Sequence, residues 1–292
     1  MTKIIEVTGE KFQMPKDFEK CDNPYSCLAN IIAGYSAIGP CERVAEKYRS
    51  GKVMQYWAGK ILVQGPGADG GAFGHVASAL ANELRKPLEL RLDKRKPDSM
   101  GSLLGGGKII VRGNVGKNTG HCISEGWLYV DGNADSIVNP GDTLITYVKG
   151  DVGSIERLYG TPVVIIAGKV KESSQRGFLN SAGPISPSPF VFTSTPISLY
   201  GYCGDHGGEQ PVGQSIVVPG LKDWKPEELE ERALELCKDV VRRVLDEKRE
   251  RLNSFERLAD ISKFYEREIE GYSTGFSRGH HEGVVSALPS DD

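Results

Sequence analysis

The chain has 292 residues, a formal net charge of −3 and an ordinary globular balance, 39% hydrophobic and 26% charged. That length allows one large domain or two small ones, and the charge gives no basic field to recruit nucleic acid. No apolar run approaches the length that crosses a bilayer. The opening MTKIIEVTGEKFQMPKDF lacks the apolar core of a signal peptide. A cytoplasmic chain with neither nucleic-acid nor membrane partners is therefore expected.

In chain order, Ile4 to Val7 reads as a short strand, and Pro24–Tyr35 and Pro40–Tyr48 as helices with proline in the first turn. From Gly59 the texture changes. GKILVQG (59–65) and GKIIVRG (107–113) are near copies, and an internal repeat comes first in any reading. Later runs end on glycine at 113, 132, 150 and 168, a step of 18 or 19 residues. LELRLD (88–93), FVFTS (190–194) and SIVVPG (215–220) read as further strands. The stretch 173–214 is rich in Pro, Ser and Gly and reads as surface loops. Pro226 to Glu270 carries Leu229, Ala233, Leu236, Val240 and Val244 at helical spacing, with i,i+4 pairs such as Glu228–Arg232.

Connections of ten to thirteen residues are too long for hairpin turns. The expected fold class is mainly β: a right-handed parallel β-helix, a glycine-rich solenoid with helical N- and C-terminal extensions. Glycines recur because stacked corners need close backbone approach. Ile109, Val111, Leu128, Val130, Leu144 and Val163 are the candidate inward ladder. The expected division is an N-terminal mixed or helical cap at 1–54, the glycine-rich domain at 55–220, a charged helical extension at 221–272 and a flexible tail at 273–292.

Three segments resemble the G-x-G-x-G repeat family, shared by the C-terminal part of the glutamate synthase large subunit and the β-helix subunit of formylmethanofuran dehydrogenase. They are GADGGAFG (67–74), LLGGGKIIVRGNVGKNTG (103–120) and GDHGGE (204–209). The resemblance implies a non-catalytic scaffold or interaction module within an oligomer or a larger oxidoreductase-type complex. It implies other subunits or self-association as partners, and no cofactor on this chain.

Rival sites are weighed beside it. Cys203, Asp205, His206 and Glu209 form the densest polar group and could support hydrolase or lyase chemistry, with Ser181 as another nucleophile. The same group can instead be a hydrogen-bonded corner. Gly65, Gly67 and Gly70 make a G-x-G-x-x-G that would follow a strand, KILVQ, and precede a helix at Phe73–Arg85. Glu89 or Asp93 would then reach a ribose. Cys21, Cys27 and Cys41 lack metal-ligand spacing and read as reduced thiols. His121-Cys122 reads as a structural corner, and His280-His281 as part of the tail. No metal site is expected.

Overall fold

The computed structural model of the chain describes residues 2–9, 13–18, 20–21, 23–34, 42–49, 51–65, 70–121, 125–140, 145–159, 163–171, 177–180, 190–203 and 208–244. Strand β1 (Lys3–Glu6) is followed by four helices: α1 (Pro24–Ile32), α2 (Glu42–Tyr48), α3 (Gly51–Gln64) and α4 (Gly70–Glu83). Strands follow: β2 (Leu88–Arg91), β3 (Gly105–Arg112), β4 (Glu125–Val130), β5 (Ala134–Pro140), β6 (Ile145–Val148), β7 (Val152–Tyr159) and β8 (Val163–Ile166). The series ends with β9 (Gly177–Asn180), β10 (Phe190–Thr193), β11 (Ser198–Cys203), β12 (Gly208–Gln214), β13 (Ile216–Val217) and helix α5 (Leu229–Val244).

Helix α1 begins where the sequence places a start. Pro24 occupies the first turn and Asn23 Oδ1 accepts from the Ser26 amide at 3.2 Å. Helix α3 is a departure. GKILVQG, the apparent copy of a strand, lies in its last turns. Met54, Ala58, Ile61 and Leu62 are its buried residues, at helical spacing. The copy at 107–113 begins on the last of three consecutive glycines, Gly105 to Gly107, and ends on Gly113; all of it but Gly113 lies in strand β3.

Eight strands form one sheet in the order β1-β2-β3-β4-β6-β8-β10-β13, and every pairing in it is parallel. Its inner face carries Ile5, Leu88, Leu90, Ile109, Val111, Leu128, Val130, Val148, Val164 and Ile166. These pack on α1, α3 and α4 through Ile31, Ile61, Leu62, Val76 and Leu80, and on Ile137, Val152, Ile155 and Leu199 of a second sheet. The second sheet is ordered β12-β11-β9-β7-β5. The outer face carries Ile110, Trp127, Tyr129, Ile145, Tyr147, Val163, Ile165, Phe190 and Phe192, covered by Leu229, Ala233, Cys237, Val240 and Val241 of α5.

The fold is therefore α/β, and the expected mainly β solenoid with helical extensions is corrected. Helices lie on both faces of a parallel sheet rather than at its ends. The segments WLYV, ITYV, VVII and FVFT are buried at every position, which is how strands covered on both sides read. Val163, expected among the inward ladder, belongs to the outer face; Leu144 lies outside the described residues. Among the described helices none is long and apolar enough to cross a membrane.

The glycines that end β3, β4, β6 and β8 have a steric reason. A Cβ on Gly132 would strike the Gly113 carbonyl, and one on Gly168 would strike that of Gly150. Beside them Asn133 N donates to Asn114 Oδ1 (2.8 Å), Asp151 N to Asn133 Oδ1 (2.7 Å) and Lys169 N to Asp151 Oδ1 (2.8 Å). Each side chain thus satisfies an amide in the next strand connection. Among the described strand residues one buried side-chain atom breaks the pattern of satisfaction. Thr146 Oγ1 is buried on the inner face between Leu128 and Val164 with no hydrogen-bond partner. Thr146→Val keeps the shape and removes the desolvated hydroxyl, so urea unfolding should show a gain of about 1 kcal/mol.

Candidate functional site

Helix α4 begins with Gly70 and Gly71, and Gly74 follows one turn later. A Cβ on Gly74 would collide with the Ser99 carbonyl, so the turn 98–104 presses directly onto this helix. Asn82, two turns further along α4, holds the turn's far end. Its Nδ2 donates to the Leu103 carbonyl (3.1 Å), and its Oδ1 accepts from Gly105 N (2.8 Å) and Gly107 N (3.2 Å). The turn is also tied to the next connection, through Ser99 N to the Lys117 carbonyl (2.8 Å), Leu103 N to the His121 carbonyl (3.2 Å) and Gly120 N to the Met100 carbonyl (2.8 Å).

These ties bring Ser99, Ser102, Leu103, His75 and His121 to one corner. Backbone strain concentrates there. Among the described residues the non-glycine residues in the left-handed region are Ser99 (φ +56°), Leu103 (+63°) and Asn118 (+56°). Ser102 Oγ is buried without a hydrogen-bond partner. Burial, and next the charge of His121, lower the proton affinity of His75 below that of an ordinary imidazole.

The rival G-x-G-x-x-G lacks the preceding strand that its fingerprint needs. Gly65 follows helix α3 rather than a strand, and it ends that helix with a left-handed φ of +85° while its amide donates to Ile61. Gly70 opens α4 and Gly67 lies outside the described residues. A dinucleotide fingerprint needs strand, loop and helix in succession, and here a helix, α3, stands where the strand should be. Among the described strands of the large sheet the order runs sequentially without reversing, so they form no switch-point crevice. The carboxylates proposed for a ribose are engaged elsewhere. Glu89 pairs with Arg91 (2.8 Å) and Arg112 (3.6 Å). Asp93 pairs with Arg95 (2.8 Å), whose guanidinium holds the carboxyl below its ordinary range.

No family model, no curated protein and no solved structure matches the chain.

The remaining expectations fall as follows. Cys203 lies at the end of β11 and Glu209 in β12, two antiparallel neighbours with Cys203 opposite Gly208 and Tyr202 opposite Glu209. Asp205 and His206, with Ser181, Cys122 and His280-His281, lie outside the described residues. Cys27 is a thiol, but Cys21 is disulfide-bonded, which corrects the expectation of reduced thiols at that position; Cys41 is outside the described residues. Among the described residues no group of three His, Cys, Asp or Glu could hold a metal ion.

On the outer face a second polar series runs across the strands. Arg112 bonds Asp131 at 2.9 Å and Lys149 bonds it at 3.0 Å. Burial works against ionisation of Asp131, yet Lys149 and Arg112 outweigh it and hold the carboxyl below its usual range. Beside it Tyr129 stacks on Tyr147 at 4.5 Å, and their hydroxyls donate to the carbonyls of Trp224 (2.9 Å) and Leu221 (2.7 Å). These groups fasten the segment ahead of α5 to the sheet, which is a structural task. The corner on α4 ties that helix to the start of β3 and to the next strand connection. Sequence reading missed Ser99 and His75 because neither lies in a recognisable motif. The signal that could have found them was the spacing of Gly70, Gly71 and Gly74 within one helix, which marks close approach of another backbone.

Proposed function

We propose that the chain is a scaffold or interaction module, working in an oligomer or a larger oxidoreductase-type assembly. The observation that carries this is the edge of the large sheet at β1. The outer-face row runs in register through Ile216, Phe192, Ile165, Tyr147, Tyr129, Ile110 and Glu89 to Ile4. From Phe192 to Glu89 it is buried, yet it ends in Ile4 at 49% exposed. Among the described residues no strand pairs with the outer edge of β1. An open edge carrying a large aliphatic side chain is a template for another chain. The oxidoreductase-type part of the reading rests on the resemblance of 67–74, 103–120 and 204–209 alone.

Native mass measurement of the full chain purified from its source tests the reading. The expected result is an assembly larger than one chain that Ile4→Arg dissociates without lowering the melting temperature. A wild-type chain that runs as a lone monomer, with nothing co-purifying, would count decisively against it.

A further inference from the structure

What the open side of β1 offers a partner is set first by its main chain. Lys3 N donates to the Pro87 carbonyl and Val7 N to the Arg91 carbonyl, both at 2.9 Å. Main-chain groups along a strand alternate between its two sides. The odd-numbered residues of β1 therefore bond β2, and the amides and carbonyls of Ile4 and Glu6 turn to the open side. The side chains of these two residues share the outer face. Both are exposed, Ile4 at 49% and the Glu6 side chain at 58%.

A row of ion pairs crosses the outer face and ends at this edge. It runs Lys149, Asp131, Arg112, Glu89, Arg91, Glu6, with the sign of charge alternating at every step. Each interior carboxylate spans two cations. Asp131 holds Lys149 through Oδ1 (3.0 Å) and Arg112 through Oδ2 (2.9 Å). Glu89 holds Arg91 through Oε1 (2.8 Å) and Arg112 through Oε2 (3.6 Å). Glu6 ends the row. Among the described residues it has one cation, Arg91, on Oε1 at 3.0 Å. The next position lies beyond β1, on the strand that joins it, and the alternation puts a positive charge there.

A second copy of the chain does not supply that charge. Two β1 strands paired about a two-fold axis run antiparallel with their outer faces on the same side. Glu6 then faces even-numbered residues of the other copy, none of them cationic from Thr2 to Thr8. Lys3 lies on the inner face with Ile5.

On the basis of the interaction reading, we propose that β1 takes up an extended segment of a different protein as an added strand, with an aliphatic side chain beside Ile4 and a lysine or arginine beside Glu6. Main-chain bonds to Ile4 and Glu6 hold the segment, and the alternate side chains select it. Glu6 Oε2 receives the cation. The same carboxylate turns acidic segments away.

Fluorescence anisotropy of the full chain with two labelled peptides, TKTITKT and TETITET, tests this. Each reads the same in both directions, so isoleucine flanked by two like charges occupies one face however the peptide lies. TKTITKT should bind about 10-fold more tightly than TETITET, and the preference should shrink as salt is raised. Glu6→Gln should remove the preference with no change in melting temperature, since the side chain is exposed. Of two TKTITKT versions N-methylated on alternate residues, one should keep binding and the other lose it, because one set of amides faces β1. Equal binding of TKTITKT and TETITET, a preference that survives Glu6→Gln, equal behaviour of the two methylated peptides, or a chain that self-associates through this edge and takes neither peptide overturns the proposal. Any of these beside an assembly that Ile4→Arg dissociates removes this partner and leaves the interaction reading standing. A lone monomer with nothing co-purifying counts against the reading itself.

Discussion

Gly150→Ala should destabilise the protein by on the order of 3 kcal/mol, although alanine is ordinarily the milder residue. Gly150 is not in the left-handed region, so its backbone would accept alanine. The obstacle is space. A Cβ there would fall on Asn133 Oδ1 and on the Gly132 carbonyl. Those atoms are not free to retreat, because Asn133 Oδ1 accepts from Asp151 N (2.7 Å) and the Gly132 carbonyl accepts from Gly150 N (2.9 Å). Relief of the clash would break one of these bonds and leave an amide unpaired. Urea unfolding should show a lower midpoint with an unchanged slope. Gly59→Ala is the control. Gly59 lies within α3 with nothing within 4 Å of a new Cβ, so the same change should stabilise by about 1 kcal/mol. Equal effects at the two sites would refute the stacked-glycine account.

The second large effect is expected at Ala233→Asp. Ala233 is fully buried between α5 and the outer face of the sheet. An aspartate there would place a carboxylate among the aromatic and aliphatic groups of that interface, at a cost of several kcal/mol. The outcome to measure is tryptophan emission together with the unfolding midpoint. Trp127 and Trp224 are 4% and 6% exposed and share this interface, so emission should shift to the red as α5 lifts away. If α5 were an appendage at the end of the strands, the emission of Trp127 would not move.

Much of the local structure was legible in the residues. Pro24, the run LELR and the glycine-terminated strands fall where composition and spacing put them. The step of 18 or 19 residues reappears as the pairings Ile109 with Leu128, Trp127 with Ile145, and Ile145 with Val163. The class was misread because strand spacing says nothing about what covers each face. WLYV and ITYV carried that information, since a strand with one solvated face would alternate with polar residues. GKILVQG misled for a related reason. A short apolar run has no period of its own, and only the preceding KVMQYWA, with Met54 and Ala58 four apart, marks it as helix. The site was less legible still. Ser99, His75 and Leu103 are brought together by the absence of side chains at Gly71 and Gly74 and by hydrogen bonds to main-chain atoms, none of which leaves a pattern in the sequence.

The sequential strand order also bears on how the protein reaches its folded state. From β3 to β8 each strand of the large sheet joins a neighbour only 18 or 19 positions away, so each addition closes a loop of similar, modest entropic cost. Assembly can advance strand by strand, although parallel pairing across 18 or 19 positions remains slower than the formation of local helical contacts. The exception is β1, which meets β2 across 85 positions, Glu6 beside Arg91. That closure waits for α1 to α4 to settle. The N-terminal strand is then the last piece to dock and the first to peel away.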